Sequence, residues 1–137
     1  MTAWIGILDI QTMTLQYTNA GHNYPILQHK NQPCEEVETV HGLFLAGMSR
    51  TTYRQSEIKL EPGDRLLLFT DGVTEAHGAS DELYGTERLA EVLKNNRECS
   101  GDQVLMKIID DIGVFSQGVP QFDDMTKVVL TIKDTEE

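Results

Sequence analysis

The sequence predicts an α+β domain of hairpin-linked strands packed against helices, and three observations carry that expectation. Its 137 residues suit one domain rather than two. Apolar residues of the first half alternate with polar ones or form short continuous runs, as strands do, whereas those of the second half recur at helical spacing. With 39% hydrophobic and 24% charged residues the chain can bury a core, which argues against wholesale disorder.

Ala3 to Ile10 is a mixed apolar segment and Leu15 to Ala20 alternates; Gln11-Thr12-Met13-Thr14 between them is short enough for a hairpin connection. Ile26-Leu27-Gln28 is a further short strand, followed by a turn at Lys30-Asn31-Gln32-Pro33. Gly42 to Thr52, rich in Gly, Ser and Thr, reads as an irregular loop. Ser56 to Leu60 alternates again, and Glu61-Pro62-Gly63-Asp64 places Pro and Gly where a tight reversal needs them. Arg65 to Thr70 is almost continuously apolar, the pattern of a central strand covered on both faces, and it stops at Asp71-Gly72. Thr86 is placed to cap a helix bearing Leu89, Val92 and Leu93. Ser100 and Gln103 fit a capping box for a longer helix, whose stripe is Val104, Leu105, Ile108, Ile109 and Ile112 and whose end lies near Gly113 and Gly118. Met125 to Ile132 is the last, β-branched strand, followed by a charged tail from Lys133 to Glu137.

Acidic residues number 22 against 11 basic, for a net charge of -11. Nucleic acid and anionic membrane are thereby disfavoured as partners, because their phosphates would be repelled; a cation or a basic protein surface is permitted. Apolar runs such as Leu66-Leu67-Leu68-Phe69 are far too short to insert in a membrane, and the first residues lack a basic leader. Cys34 and Cys99, without Cys-x-x-Cys spacing, read as reduced thiols in a cytoplasmic protein. His22, His29, His41 and His77 have no zinc-site spacing, and no nucleophile elbow, dinucleotide fingerprint or P-loop occurs.

Two acidic elements stand at strand boundaries. Asp71 ends the buried run Arg65–Thr70, with Gly72 beside it free to turn, and Asp123-Asp124 immediately precede the last strand. If those strands are neighbours, the carboxylates converge at one end of a sheet, and oxygen ligands of this kind suit Mg²⁺ or Mn²⁺. Asp-Gly is also the commonest turn dipeptide, so the pattern alone leaves a plain turn open. The adjacent charges of Asp123 and Asp124 repel each other, a cost that a bound cation would relieve. Asp110-Asp111, inside a helical stripe, reads instead as solvated helix surface.

Several segments then line up with a known family: Asn19-Ala20-Gly21-His22-Asn23-Tyr24-Pro25, Pro62-Gly63-Asp64 running into Thr70-Asp71-Gly72-Val73-Thr74-Glu75-Ala76, Tyr84-Gly85, and Phe122-Asp123-Asp124-Met125-Thr126. They resemble the PPM-type protein phosphatases, and more closely the bacterial branch typified by stage II sporulation protein E. The resemblance implies an antiparallel β-sandwich flanked by helices, with a site for two divalent ions at one end. It implies hydrolysis of phosphoserine or phosphothreonine on a regulatory protein of the anti-sigma-factor antagonist type. Matched motif to motif, Asp71 and Asp123 are the catalytic metal ligands, and Asp124 is either a further ligand or an orienting neighbour. Glu75 and His77 lie near enough to reach the site but read as surface loop. His22 stands where the related type 2C phosphatases carry an Asp, and is read as a turn residue.

The family's first signature, an Asp followed shortly by Gly-His-Gly, has no counterpart here, so residues 1–137 are expected to form a single domain whose N-terminal part is missing. Too few oxygens would remain for two ions, leaving at most one weakly held Mg²⁺ or Mn²⁺ and little activity. An uncovered face and sheet edge would favour a homodimer or larger assembly. The other class of function is a non-catalytic module that binds a signalling regulator.

Overall fold

Period-two alternation builds the first pair of strands in this computed structural model, which describes residues 1–30, 32–40, 42–121 and 123–133. β1 (Ala3–Asp9) and β2 (Thr14–Ala20) form an antiparallel hairpin, with Ala3 opposite Ala20 and Asp9 opposite Thr14. The Asp9 carboxylate closes the connection, accepting from the backbone N–H of Thr12 at 3.0 Å and of Gln11 at 2.8 Å. Those bonds hold its carboxyl below the usual carboxylate value. β5 (Ser56–Lys59) pairs with the other edge of β2, giving a three-stranded sheet in the order β1-β2-β5.

The second sheet contains β3 (Ile26–Gln28), β4 (Cys34–Glu36), β6 (Arg65–Phe69) and β7 (Lys127–Thr131), in the antiparallel order β4-β3-β6-β7. The Pro62-Gly63 turn delivers β6: the Asp64 N–H donates to Glu61 O at 3.0 Å, and Gly63 takes the positive φ of 91° that this reversal requires. β6 is interior, as its apolar run predicts. Leu66 joins the core between the sheets with Leu15, Tyr17, Leu27 and Leu60, whereas Leu67 and Phe69 face the helices.

α2 (Thr86–Asn95) and α3 (Gly101–Phe115) cover that outer face, burying Leu89, Leu93, Val104, Ile108 and Ile112 against it. The capping box at the start of α3 is present: Ser100 Oγ accepts from the Gln103 N–H at 3.3 Å, and Gln103 Oε1 from the Ser100 N–H at 2.8 Å. The layers therefore run sheet, sheet, helices, the expected α+β sandwich.

The structure differs from the sequence reading at four places. Thr86 is the first residue of α2 rather than its cap; Gly85, at φ 77°, takes the cap position, because its N–H is drawn to Thr74 O at 2.9 Å. β4 and the short helix α1 (Asp71–Thr74) were not expected. Asp111, read as solvated surface, is half-buried and accepts from Tyr84 Oη at 2.7 Å, Arg88 Nε at 2.8 Å and Arg88 Nη2 at 3.2 Å, because the C-terminal half of α3 crosses the start of α2; Asp110 stays exposed.

Cys34 and Cys99 are free, and no helix among the described residues is long and apolar enough to cross a membrane. Asn31 of the expected turn, His41, Phe122 of the terminal motif and residues 134–137 of the charged tail lie outside the described residues.

Candidate active site

The last register pair of β6 and β7 is Phe69 with Lys127, so the exit of one central strand lies beside the entry of the other. Thr70 ties the two segments together. Its N–H donates to Thr126 O at 3.0 Å, its Oγ1 donates to Asp124 O at 3.2 Å, and the same Oγ1 accepts from the Thr126 N–H at 3.0 Å. Asp71 follows at once and opens α1.

Gly72 makes the meeting possible. A Cβ at this position would lie 2.4 Å from Asp124 O and 3.5 Å from Asp123 Cβ, so the two segments touch backbone to backbone where any side chain would hold them apart. Asp71 Oδ1 accepts from the Gly72 N–H at 3.0 Å, and Asp123 Oδ1 from the Asp124 N–H at 2.7 Å. Each carboxylate thus spends one oxygen on its own turn. Asp71, Asp123 and Asp124 are all exposed, and Asp124 contributes its main-chain carbonyl to the junction.

Among the described residues no three His, Cys, Asp or Glu side chains form a cluster able to hold an ion. Asp71 and the Asp123-Asp124 pair thus share one end of the sheet without forming a closed cage. Glu75 and His77 line a cleft of about 750 Å³ together with Gly72, Asp123, Ile112 and Lys127; His77 Nδ1 lies 2.8 Å from Asp81 Oδ1. His22 is at the end of β2, its main chain clamped by Asn19: the His22 N–H donates to Asn19 Oδ1 at 2.7 Å, and Asn19 Nδ2 donates to His22 O at 2.8 Å.

Sequence reasoning passed over Thr70 and Lys127. The signal for Thr70 was its place as the one hydroxyl between an apolar strand and Asp71; for Lys127, its place as the sole cation within Met125–Ile132. It also missed the pairing behind the cleft, where Arg88 lies 5.4 Å from the Tyr84 ring centroid and 4.9 Å from that of Phe115. Burial, reinforced by Asp111, pushes the Tyr84 hydroxyl well above its usual range, and the Arg88 hydrogen bonds hold Asp111 below the usual carboxylate value.

Residues 1–133 match the stage II sporulation protein E (SpoIIE) family. The chain belongs to this family. Protein IcfG of Synechocystis sp. (strain ATCC 27184 / PCC 6803 / Kazusa) is 30% identical over 129 residues, covering 94% of this chain and 20% of that protein. Phosphoserine phosphatase RsbU of Bacillus subtilis (strain 168) is 31% identical over 118 residues, covering 85% of this chain and 34% of RsbU. The chain therefore spans about a fifth and a third of these two relatives. The phosphatase domain of the cell-fate determinant SpoIIE from Bacillus subtilis, in crystals presoaked with Mn, superposes with a TM-score of 0.77 at 16% identity, over 99% of this chain and 58% of that one. That likeness shows the fold, and the motif resemblance to the SpoIIE-like phosphatases is borne out by the family match.

Proposed function

We infer that this chain carries part of a metal-dependent phosphatase acting on phosphoserine or phosphothreonine of a regulatory protein. Asp71 and Asp123 are its metal-ligating catalytic residues, and Asp124 is the alternative or additional ligand. The observation that carries this reading is the side-chain-free contact of Gly72 with Asp123 and Asp124, which sets carboxylates from distant parts of the chain at one end of β6 and β7. The SpoIIE membership and the likeness to a phosphoserine phosphatase support the reaction class. A regulator of the anti-sigma-factor antagonist type is the substrate this reading names.

The donor set fits one hard, hydrated cation, Mg²⁺ or Mn²⁺: all three side chains offer carboxylate oxygen in open solvent. Without a third clustered ligand among the described residues, it is too sparse for a close pair of ions. When bound, a divalent ion supplies Lewis-acid activation of water and neutralises phosphoryl charge. The protein's share is positional. Thr70 locks Asp71 to the Asp123-Asp124 segment, and the neighbouring cleft has room for a phosphorylated side chain and its flanking residues. The sparse ligand set also favours a second reading, a non-catalytic module that binds a signalling regulator.

Manganese binding followed by electron paramagnetic resonance, beside phosphopeptide turnover, tests both. The chain by itself is expected to bind at most one Mn²⁺ weakly, to lose it on Asp71→Asn or Asp123→Asn, and to turn over phosphopeptide little or not at all. Unchanged Mn²⁺ binding in both variants overturns the ligand assignment; robust metal-dependent turnover by the chain alone overturns its impairment and the non-catalytic reading together.

A further inference from the structure

Lys127 opens β7 as the register partner of Phe69, two residues before Asp71. Alternation along the strand fixes the direction of its side chain. Val129 packs into the core beneath the helices and Leu130 into the core between the sheets, so Lys127, two residues before Val129, stands on the helix side. There it is half-buried and lines the cleft of about 750 Å³ with Gly72, Glu75 and Asp123. It is the one Lys or Arg among the described lining residues.

The cleft therefore joins the carboxylate junction, through Gly72 and Asp123, to a single ammonium group. Directly opposed residues of an antiparallel pair have Cα atoms about 5 Å apart, and Asp71 is at most about 7 Å along the chain from Phe69. A flexible four-carbon stem rooted opposite Phe69 has the reach to bring its charge to a group held at the junction.

Charge balance at rest asks for nothing further, since Glu75 and Asp123 stand in the same cleft. The demand arises with substrate. A phosphate monoester carries about two negative charges at neutral pH. It must approach Asp71, Asp123 and Asp124, a donor set that fits one hard divalent ion. Three carboxylates against one such ion leave the junction negative, so a further cation is needed where the phosphoryl oxygens come to rest. Lys127 has a competing structural role. α3 carries no basic residue in its last turn, and its end, at Gly113 and Ser116, forms another wall of the cleft, where an ammonium offsets the negative end of the helix. That role bears on stability and is separable from one that bears on phosphate.

We propose that Lys127 binds the phosphoryl group of the substrate, its ammonium donating to the non-bridging oxygens from the cleft side, across from the carboxylates of the junction. This rests on the phosphatase reading above. It gives to a side chain part of the charge neutralisation on which phosphoryl transfer depends, and it makes Lys127 a substrate-binding residue rather than a metal ligand.

Orthophosphate and O-phosphoserine, titrated into the chain in Mg²⁺ at constant ionic strength and followed by amide NMR, test it. Saturable shifts are expected at residues 71–76 and 123–128. Lys127→Gln is expected to weaken both ligands about tenfold, and Lys127→Arg to restore most of that affinity. Mn²⁺ binding, followed by electron paramagnetic resonance, should be no weaker in Lys127→Gln, because the change removes a positive charge from the neighbourhood of a cation. Phosphate binding equal to that of the wild type in Lys127→Gln would overturn the proposal and leave the Asp71–Asp123 assignment standing. Weakened Mn²⁺ binding in Lys127→Gln would also overturn it, by making the residue a prop of the junction. So would wild-type shifts no larger than those from sodium chloride. Unchanged Mn²⁺ binding in Asp71→Asn is the separate failure of the underlying reading, and takes the proposal with it.

Discussion

Gly72 pits two single-residue effects against each other. It lies inside a helix, where Ala is favoured by about 1 kcal/mol, and its φ is not in the left-handed region. A methyl group there would nevertheless stand 2.4 Å from Asp124 O, a main-chain atom that cannot swing aside. Overpacking of this kind costs about 1–3 kcal/mol, so the clash outweighs the propensity. Gly72→Ala is expected to lower unfolding stability by about 1–2 kcal/mol and to weaken Mn²⁺ binding, because the Asp123-Asp124 segment must retreat. Gly113 is the control: it is also helical, but a Cβ there meets nothing within 4 Å, so Gly113→Ala should gain up to about 1 kcal/mol. Urea unfolding of the two variants measures both signs. Equal stabilisation by the two would mean that the contact at Gly72 is not tight. At this scale the acidic residues were legible in the sequence, since Asp71 and Asp123-Asp124 each punctuate an apolar run. Their meeting was not, because it depends on an absent side chain in one segment and a main-chain oxygen in another.

The elements the sequence announces carry their own apolar pattern, even the three-residue β3 with Ile26 and Leu27, and those it does not announce lack one. β1, β2, β5, β6 and β7 each carry enough alternation or continuous apolar sequence to declare a strand, and α3 carries both a capping box and a stripe. β4 has three residues and α1 has four; neighbours supply hydrogen bonds to both, β3 to the first and Thr70, whose carbonyl accepts from the Val73 N–H at 3.0 Å, to the second. The contact between α2 and α3 is likewise tertiary. Arg88 and Tyr84 converge on Asp111, and the Arg88 bonds depress its folded-state pKa below the ordinary 3.8. A depressed carboxyl contributes stability above its unfolded-state pKa and loses it as pH falls through the folded value. The pair is partly solvated, with 40% of the Arg88 side chain and 30% of the Asp111 side chain exposed, so screening keeps the contribution small. Asp111→Asn retains an acceptor for Tyr84 while removing the charge, and should cost about 1 kcal/mol near neutral pH. The difference from wild type should shrink as pH drops below 3.8. A difference that persists undiminished into strong acid, by chemical denaturation at a series of pH values, would show that the charge is not its source.

The layer order leaves one face of the molecule without helices among the described residues. Trp4 and Leu8 point from β1 into the core between the sheets, which turns Ile5 and Ile7 outward at 55% and 69% exposure. Among the described residues β1 is also an edge strand, its one strand neighbour being β2, so unpaired backbone borders the apolar face. A second copy of the chain would cover both. Burying four isoleucines across a two-fold contact yields about 6–12 kcal/mol at about 1.5–3 kcal/mol each. Association itself costs about 4–15 kcal/mol. The terms nearly cancel, so electrostatics decides: two copies at -11 repel, and salt screens that repulsion. We therefore propose a weak homodimer whose population rises with ionic strength, the reverse of the salt response of an association held by ion pairs. Light scattering and sedimentation at micromolar concentration should show an average mass above that of a single chain, increasing with sodium chloride. Ile5→Lys with Ile7→Lys, both outward-facing and remote from the cores, should return the chain to a monomer without lowering its melting temperature. A wild type that stays monodisperse and monomeric at high salt would mean that two isoleucines and a strand edge are too little to hold a second copy.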